Sequence, residues 1–232
     1  MRLVLALVLS LASMSAAFAA DTPPASAPPA AATAPVSPPV RFDWQGQSKK
    51  AQAALTARDY KTAIKIFTDV INSGRLPHNW VAPTFYMRGK AYRSSHDYKL
   101  AVTDYEAAIQ ADPKLDVAYY ELGATYQALE QHAKAITEFD QAIALRADNA
   151  GYYYARCVSL SWVSRFADAV NDCKRATHLK PGDADMLATL GRLYEDMGQK
   201  AEAIDTYKAA LAANPNQAEA TEGLNFLNKK GH

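Results

Sequence analysis

One alanine position recurs every 34 residues along most of this chain: Ala101, Ala135, Ala169 and Ala203. Twelve positions before each of them stands a small residue or a cysteine: Gly89, Gly123, Cys157 and Gly191. Seven positions after each stands another alanine: Ala108, Ala142, Ala176 and Ala210. Four positions after each stands an aromatic residue or, once, a cysteine: Tyr105, Phe139, Cys173 and Tyr207. A fixed period of this length is typical of stacked helical hairpins, because one hairpin cannot bury its apolar face alone.

The period divides the chain into regular units at 82–115, 116–149, 150–183 and 184–217, preceded by a weaker unit at 44–81. Within each unit, apolar residues recur at spacings of three and four on both sides of a polar break. This pattern predicts two amphipathic helices per unit. Prolines such as Pro113, Pro181 and Pro215 end the second helix, since proline cannot continue it. In the weaker unit, we expect Gly74, Pro77 and Trp80 to lie in a longer connection before Ala82.

The small residues predict close helix packing, with larger side chains filling the remaining space. When each unit is numbered from 1 to 34, a glycine at position 8 should face the alanine at position 20. The pattern of glycine, tyrosine, alanine, aromatic, alanine and proline resembles the tetratricopeptide repeat family. The resemblance implies an all-α fold, an α-solenoid of five helical hairpins wound as a right-handed superhelix. Residues 218–232 look like a capping helix and tail, in which Leu224, Phe226 and Leu227 would cover the last hairpin.

The N-terminal 43 residues predict export and a spacer. Residues 1–19 contain one arginine, an apolar stretch and Ala17-Phe18-Ala19, which is the layout of a cleavable signal peptide. The alternatives are an uncleaved anchor or a chance apolar start, and no later stretch could cross a bilayer. Residues 20–43 are rich in proline and alanine, which favours a disordered, semi-rigid linker over a folded element, with a ligand for a proline-recognising domain as the alternative. We therefore expect a periplasmic or secreted protein.

Charge and side-chain chemistry exclude several function classes. The chain has 25 Lys and Arg against 24 Asp and Glu, and removal of Arg2 with the signal peptide leaves 24 against 24. Nucleic-acid binding would require a basic excess or stripe, so no nucleic-acid partner is expected. The histidines are scattered without metal-ligand spacing: His78, His96, His132, His178 and His232. There is no glycine-rich phosphate loop or nucleophile elbow. We expect no metal, no cofactor and no catalytic site.

The family resemblance implies a concave groove lined by the first helices of the units. Its candidate partner-binding residues, at positions 5, 9, 12 and 13, are Tyr86, Lys90, Arg93, Tyr120, Gln127, Tyr154, Trp162 and Arg192. Tyrosine, tryptophan and arginine dominate binding hot spots because they combine contact area with a polar end. The tyrosines could equally serve helix packing alone. Trp162 is the strongest candidate, because a large aromatic residue at a groove position has less packing to do.

Two further features depend on how the hairpins pack. Cys157 and Cys173 lie at positions 8 and 24 of one unit, on facing helices, and an even cysteine count in an exported protein favours a disulfide. The alternative is two buried free thiols acting as small apolar residues. Arg88 and Arg156 lie at position 7, where the family usually has leucine. They could pair with buried carboxylates, but we expect their stems to lie along the stack with the charged heads in solvent.

These observations predict a non-catalytic scaffold in the cell envelope that binds a protein or peptide in its groove. The first alternative is a structural or assembly subunit of an envelope complex, which would use convex or end surfaces and leave the groove idle. The second is a cell-wall glycan binder that uses the aromatic groove. The sequence names neither the partner nor the oligomeric state.

Overall fold

The computed structural model describes residues 43–229. The predicted signal peptide at 1–19 and the predicted linker at 20–43, except for Asp43, lie outside the described residues. The described part contains eleven α-helices. In chain order they are α1 Trp44–Thr56, α2 Tyr60–Asn72, α3 His78–Ser94, α4 Tyr98–Ala111, α5 Asp116–Ala128, α6 His132–Leu145, α7 Ala150–Trp162, α8 Phe166–Leu179, α9 Ala184–Asp196, α10 Lys200–Ala213 and α11 Ala218–Lys229. The prediction of an all-α solenoid is confirmed.

Consecutive helices pair as five hairpins, α1–α2 to α9–α10, which we number one to five. The turn inside each hairpin has a residue with positive φ at position 15: Arg58, His96, Glu130, Ser164 and Gly198. The next amide then bonds back to a carbonyl five residues earlier, as from Gln131 to Tyr126 at 2.8 Å. This is the hydrogen bond of a Schellman motif, which ends the first helix and satisfies one of its free carbonyls. Five different turn sequences therefore adopt one backbone geometry.

The hairpins stack in chain order, and the stack has two different faces. Each second helix packs against the first helix of the next hairpin, and α11 packs against α9 and α10. Among these eleven helices, successive first helices also contact one another, whereas successive second helices do not. The first helices are therefore the more closely spaced. We call the face formed by α1, α3, α5, α7 and α9 the inner face, and the face formed by the second helices the outer face.

The core is built on the repeated small residues. The alanines at positions 20 and 27 of all four regular units are completely buried. The glycine at position 8, however, has an aromatic ring of the same hairpin as its nearest neighbour, at position 24. A Cβ added to Gly123 would lie 2.6 Å from Cε1 of Phe139, and one added to Gly191 would lie 2.6 Å from Cδ1 of Tyr207. The ring at position 24 therefore occupies the space beside this glycine, as expected of the larger side chains that fill the gaps between small residues.

Two expectations about the packing were wrong. Helix α3 begins at His78, so Trp80 lies in a helix and not in a connection, and its ring packs 5.0 Å from that of Trp44. In α11, Leu227 is buried as expected, but Phe226 is 44% exposed. Ala220 and Gly223 lie buried beside Leu227, so small residues allow α11 to approach hairpin five closely.

Candidate functional site

The arginines at position 7 belong to the hairpins' internal structure. Arg88 donates two hydrogen bonds of 2.7 Å to Asp104, which is 2% exposed, and a third of 3.1 Å to Thr68 in the preceding hairpin. Hydrogen bonding to Asp104 raises the pKa of Arg88. The guanidinium is thus held between three helices. The expectation that its charged head lies in solvent was wrong, because a buried carboxylate faces it.

Arg156 repeats this arrangement two hairpins later. It donates to Asp172 at 2.6 and 2.7 Å and to Asp140 of the preceding hairpin at 2.6 Å. Hydrogen bonding to Asp172 raises the pKa of Arg156. Here too the expectation of a solvated head was wrong. Both arginines join the two helices of their own hairpin to the hairpin before it, so we assign them to the scaffold.

Cys157 and Cys173 lie directly opposite each other in hairpin four. Their Cα atoms are 5.6 Å apart, their sulfurs are at disulfide-bonding distance, and both side chains are completely buried. They occupy positions 8 and 24, which hold a glycine and an aromatic ring in the other regular hairpins. The geometry supports the predicted bridge. The cysteine pair replaces the glycine–ring contact of the other regular hairpins.

At the N-terminal end of the inner face, three predicted groove residues already have partners. Tyr86 packs 6.1 Å from the ring of Tyr105, and the Lys90 amine lies 5.6 Å above the Tyr86 ring. Arg93 forms a 2.8 Å ion pair with Glu121. Burial, aided by the charge of Glu121, raises the pKa of Tyr86 to about 12. Of these residues, Lys90 lines an open cleft, which has a volume of about 430 Å³ between hairpins one and two.

The central predicted groove residues also make internal contacts. Tyr120 stacks on Tyr152 with ring centroids 5.0 Å apart, and burial raises its pKa. The Gln127 amide donates to the Ala155 carbonyl at 2.9 Å and to the Ser159 hydroxyl at 2.8 Å, which joins α5 to α7.

The same holds at the C-terminal end of the inner face. The Tyr154 hydroxyl lies 3.1 Å from that of Thr189, which joins α7 to α9. Arg192 forms a 2.8 Å ion pair with Glu219 of α11 and a longer one, at 3.6 Å, with Asp196. Side chains that join neighbouring hairpins by hydrogen bonds and ion pairs fix the curvature of this face. Few of their polar groups remain available to a ligand.

Trp162 differs from the other predicted residues. It ends α7 with 69% of its surface exposed, and its ring stacks nearly parallel on His132, with centroids 5.1 Å apart and an angle of 4° between the planes. Its ring lies in a cleft of about 640 Å³ that we call the Trp162 cleft, lined by Gln127, Ala128, Glu130, His132, Val158 and Trp162. Since His132 covers one face of the indole, its other face and edges account for the exposure. The cleft offers an apolar surface beside one carboxylate, that of Glu130.

The sequence interpretation missed His132 and Glu130 as parts of this cleft. Both lie in or just after the turn of hairpin three, whereas Trp162 ends the first helix of hairpin four. The sequence did contain a signal for these two residues, because the stacking of hairpins brings the turn inside each hairpin beside position 13 of the next unit. The Nδ1 atom of His132 is buried without a hydrogen-bond partner in the described structure, and its ring stacks on that of Trp162.

Sequence comparisons agree with this architecture. Family models described as tetratricopeptide repeat match residues 164–223 and 117–149, and a model described as TPR repeat matches residues 89–130. The chain carries tetratricopeptide repeats. The matched segments cover most of hairpins two, three and five and the second helix of hairpin four, while residues 150–163, which include Trp162, lie between them. A search of curated proteins gave no significant match.

Solved tetratricopeptide-repeat structures share the fold. A crystal structure of MamA protein is 23% identical and covers 76% of this chain and 94% of its own, with a TM-score of 0.67. YrrB, described as a TPR protein with an unusual peptide-binding site, is 19% identical and covers 78% and 91%, with a TM-score of 0.67. MamA from Desulfovibrio magneticus RS-1 is 16% identical and covers 75% and 97%, with a TM-score of 0.69. At these identities the likeness shows a common solenoid.

Within 43–229, no group of three or more His, Cys, Asp or Glu side chains is placed to hold a metal ion. In the same range, no helix is both long enough and apolar enough to span a bilayer.

Proposed function

We propose that this tetratricopeptide-repeat protein is a non-catalytic interaction module that binds a segment of a protein partner on its inner face, with Trp162 as the anchor. The exposed Trp162 ring in its cleft is the observation that carries this proposal. Large aromatic side chains contribute most to binding where they are surrounded by contacts that exclude water. The other inner-face aromatics are partly buried against the core and bonded to neighbours, so they shape the surface beside the anchor.

The bound segment is expected to insert an apolar side chain beside the indole. The inner-face arginines Arg93 and Arg192 are already paired with carboxylates, so they have little charge left for a ligand. Affinity should therefore depend more on apolar contact than on salt concentration. The YrrB structure, with its peptide-binding site, is a precedent for peptide binding by a solenoid of this fold.

The proposed location is the cell envelope. Its supports are the signal-peptide pattern of residues 1–19 and the cysteine pair, since disulfides persist in oxidising compartments. Cell fractionation together with the N-terminal mass of the natural protein tests this. A mature protein that begins near residue 20 and leaves the cytosol is expected, and a cytosolic protein that retains Met1 would contradict it.

Peptide selection against the full chain tests the anchor. Peptides enriched by selection should bind the wild type and lose about thirtyfold or more in affinity to Trp162→Ala, the loss typical of a hot-spot residue. Phe226→Ala removes another exposed ring, on α11, and should leave the affinity unchanged. Circular dichroism shows that both variants fold. Equal binding by wild type and folded Trp162→Ala would end the groove proposal.

A further inference from the structure

The hairpins contain a repeated side-chain cage between a first helix and the two second helices that flank it. In hairpins two and four it holds the guanidinium of Arg88 or Arg156, at position 7. The oxygen atoms that bind the guanidinium come from position 23 of the same hairpin and position 25 of the preceding one. Aromatic rings complete it: Arg88 lies 5.5 Å from the Phe85 ring and 5.8 Å from the Tyr92 ring, at positions 4 and 11. We call this set the guanidinium cage.

Hairpin three has the cage without the arginine. Its position 7 is Leu122, yet both acceptor positions carry carboxylates, Glu138 at position 23 and Glu106 at position 25 of the preceding hairpin. Its positions 4 and 11 are again aromatic, Tyr119 and Tyr126. The Tyr126 hydroxyl donates a 3.3 Å hydrogen bond to Glu106. All the groups that bind a guanidinium in the sister hairpins are therefore present, while the guanidinium itself is missing.

The two carboxylates repel each other at this place. Glu138 is partly buried, and its pKa is raised first by burial and then by the negative charge of Glu106. No basic side chain of residues 43–229 forms an ion pair with either of them. The Lys134 amine lies 5.2 Å above the Tyr126 ring. Because Glu106 is exposed, a positive group from outside can reach the pair.

Hairpin five shows that a leucine at position 7 does not require these carboxylates. There Leu190 is accompanied by Thr206 at position 23, and the preceding position 25 is Lys174. The Lys174 amine lies 5.5 Å above the ring of Tyr194. Where hairpin five replaces the arginine, it also replaces the acceptors. Hairpin three has lost the arginine but kept two acceptors, which leaves its negative charge unbalanced.

We propose that the cage of Tyr119, Tyr126, Glu106 and Glu138 receives an arginine side chain from a protein partner. The incoming guanidinium would complete on hairpin three the contacts that Arg88 and Arg156 make on the hairpins beside it. A planar guanidinium suits this place better than an ammonium, because it donates to two carboxylates at once while lying against aromatic rings. None of these four residues lines the Trp162 cleft, so the proposal does not depend on that cleft.

Titration of the full chain with a short peptide tests the cage. The probe is a blocked alanine pentapeptide with a central arginine, and its matched control carries citrulline, which has a similar shape and no charge. Amide NMR signals of Tyr126 and Glu138 should shift saturably with the arginine peptide and about tenfold more weakly with the citrulline peptide. Glu138→Gln should lose the response, whereas Glu202→Gln, an exposed change on α10, should keep it.

Leu122→Arg supplies a second test, because it places the chain's own guanidinium in the cage. This variant should no longer respond to the arginine peptide, while Leu190→Arg, whose hairpin lacks the two carboxylates, should still respond. If Leu122→Arg does not fold, the Glu138→Gln comparison decides alone. Equal binding of the arginine and citrulline peptides, or an unchanged response in Glu138→Gln, would overturn the proposal.

Discussion

Single small residues control how closely the helices approach. Ala135 in α6 is completely buried, whereas Ala133, two residues earlier on the same helix, is exposed. The two alanines have equal helix propensity, so the difference between them is packing alone. The repeated alanines at positions 20 and 27 are therefore steric requirements of the stack, and any larger side chain must displace a neighbouring helix.

We predict that Ala135→Leu lowers the free energy of unfolding by about 1–3 kcal/mol, because the added atoms must enter a filled core. The matched control is Ala133→Leu, whose new side chain projects into solvent and should change stability by less than about 0.5 kcal/mol. Urea unfolding followed by circular dichroism measures both. Equal stability of the two variants would show that position 20 is not a packing contact.

The repeat pattern predicts where the stack needs small residues, but it does not predict which side chains contact them. Periodicity places Gly123 on a buried stripe, while its contact with the Phe139 ring depends on how the two helices rotate against each other. The same limit applies to Arg88. A long charged side chain at a core position can bend toward solvent or toward a carboxylate, and only the facing Asp104 decides between them.

Each hairpin is an element with its own means of joining its helices. In hairpin three, the glycine at position 8 and the ring at position 24 form this junction. In hairpin four, Cys157 and Cys173 occupy the same two positions and their sulfurs meet. The change at both positions together is what made the pairing predictable, since the two sites face each other in every other regular hairpin.

We predict that the double variant Cys157→Ala/Cys173→Ala loses about 3 kcal/mol, as expected for opening a loop of this length. The double variant Cys157→Gly/Cys173→Tyr should recover part of this loss, because it restores the glycine–ring contact of the sister hairpins. Thermal unfolding compares them, and mass spectrometry after alkylation without reductant should find no free thiol in the wild type. Two alkylated cysteines would contradict the bridge.

Helix boundaries are predicted well where the 34-residue period holds and poorly where it lapses. The sequence analysis placed Gly74, Pro77 and Trp80 in a connection before Ala82, and another proline, Pro83, directly follows Ala82. Helix α3 nevertheless includes Pro83. Proline removes one backbone hydrogen bond from a helix, and the packing of Trp80 on Trp44 offsets this loss and supports the added turn. Tertiary contact outweighs local preference at this point.

On the scale of the whole molecule, the inner face shows what sequence can and cannot say about a binding site. Repeat positions place candidate residues on this face, yet they do not reveal which side chains are used internally. Gln127 and Arg192 bond to neighbouring helices, while Trp162 remains exposed. Whether a polar side chain is already bonded to a neighbour depends on how the hairpins stack. The three-dimensional structure therefore shows it, and the 34-residue period does not.

Buried tyrosines predict a whole-molecule response to alkaline pH. The pKa is raised for Tyr86, Tyr105, Tyr120, Tyr152 and Tyr207, with burial as the largest cause in each. A phenol with a higher pKa in the folded than in the unfolded chain holds its proton more tightly when folded. Its contribution to the free energy of unfolding is therefore fully present below the unfolded-state pKa of about 10, and this contribution is lost as pH rises through the folded-state pKa.

The free energy of unfolding should therefore fall as pH rises above about 10, by up to about 1.4 kcal/mol per pH unit for each such tyrosine. Urea unfolding at increasing pH measures the slope. Tyr105→Phe is the informative variant, because the Tyr105 hydroxyl is buried without a hydrogen-bond partner in the described structure. Its removal should not lower stability at neutral pH, and it should make the alkaline loss less steep. An unchanged slope in Tyr105→Phe would mean that its ionisation is not linked to unfolding.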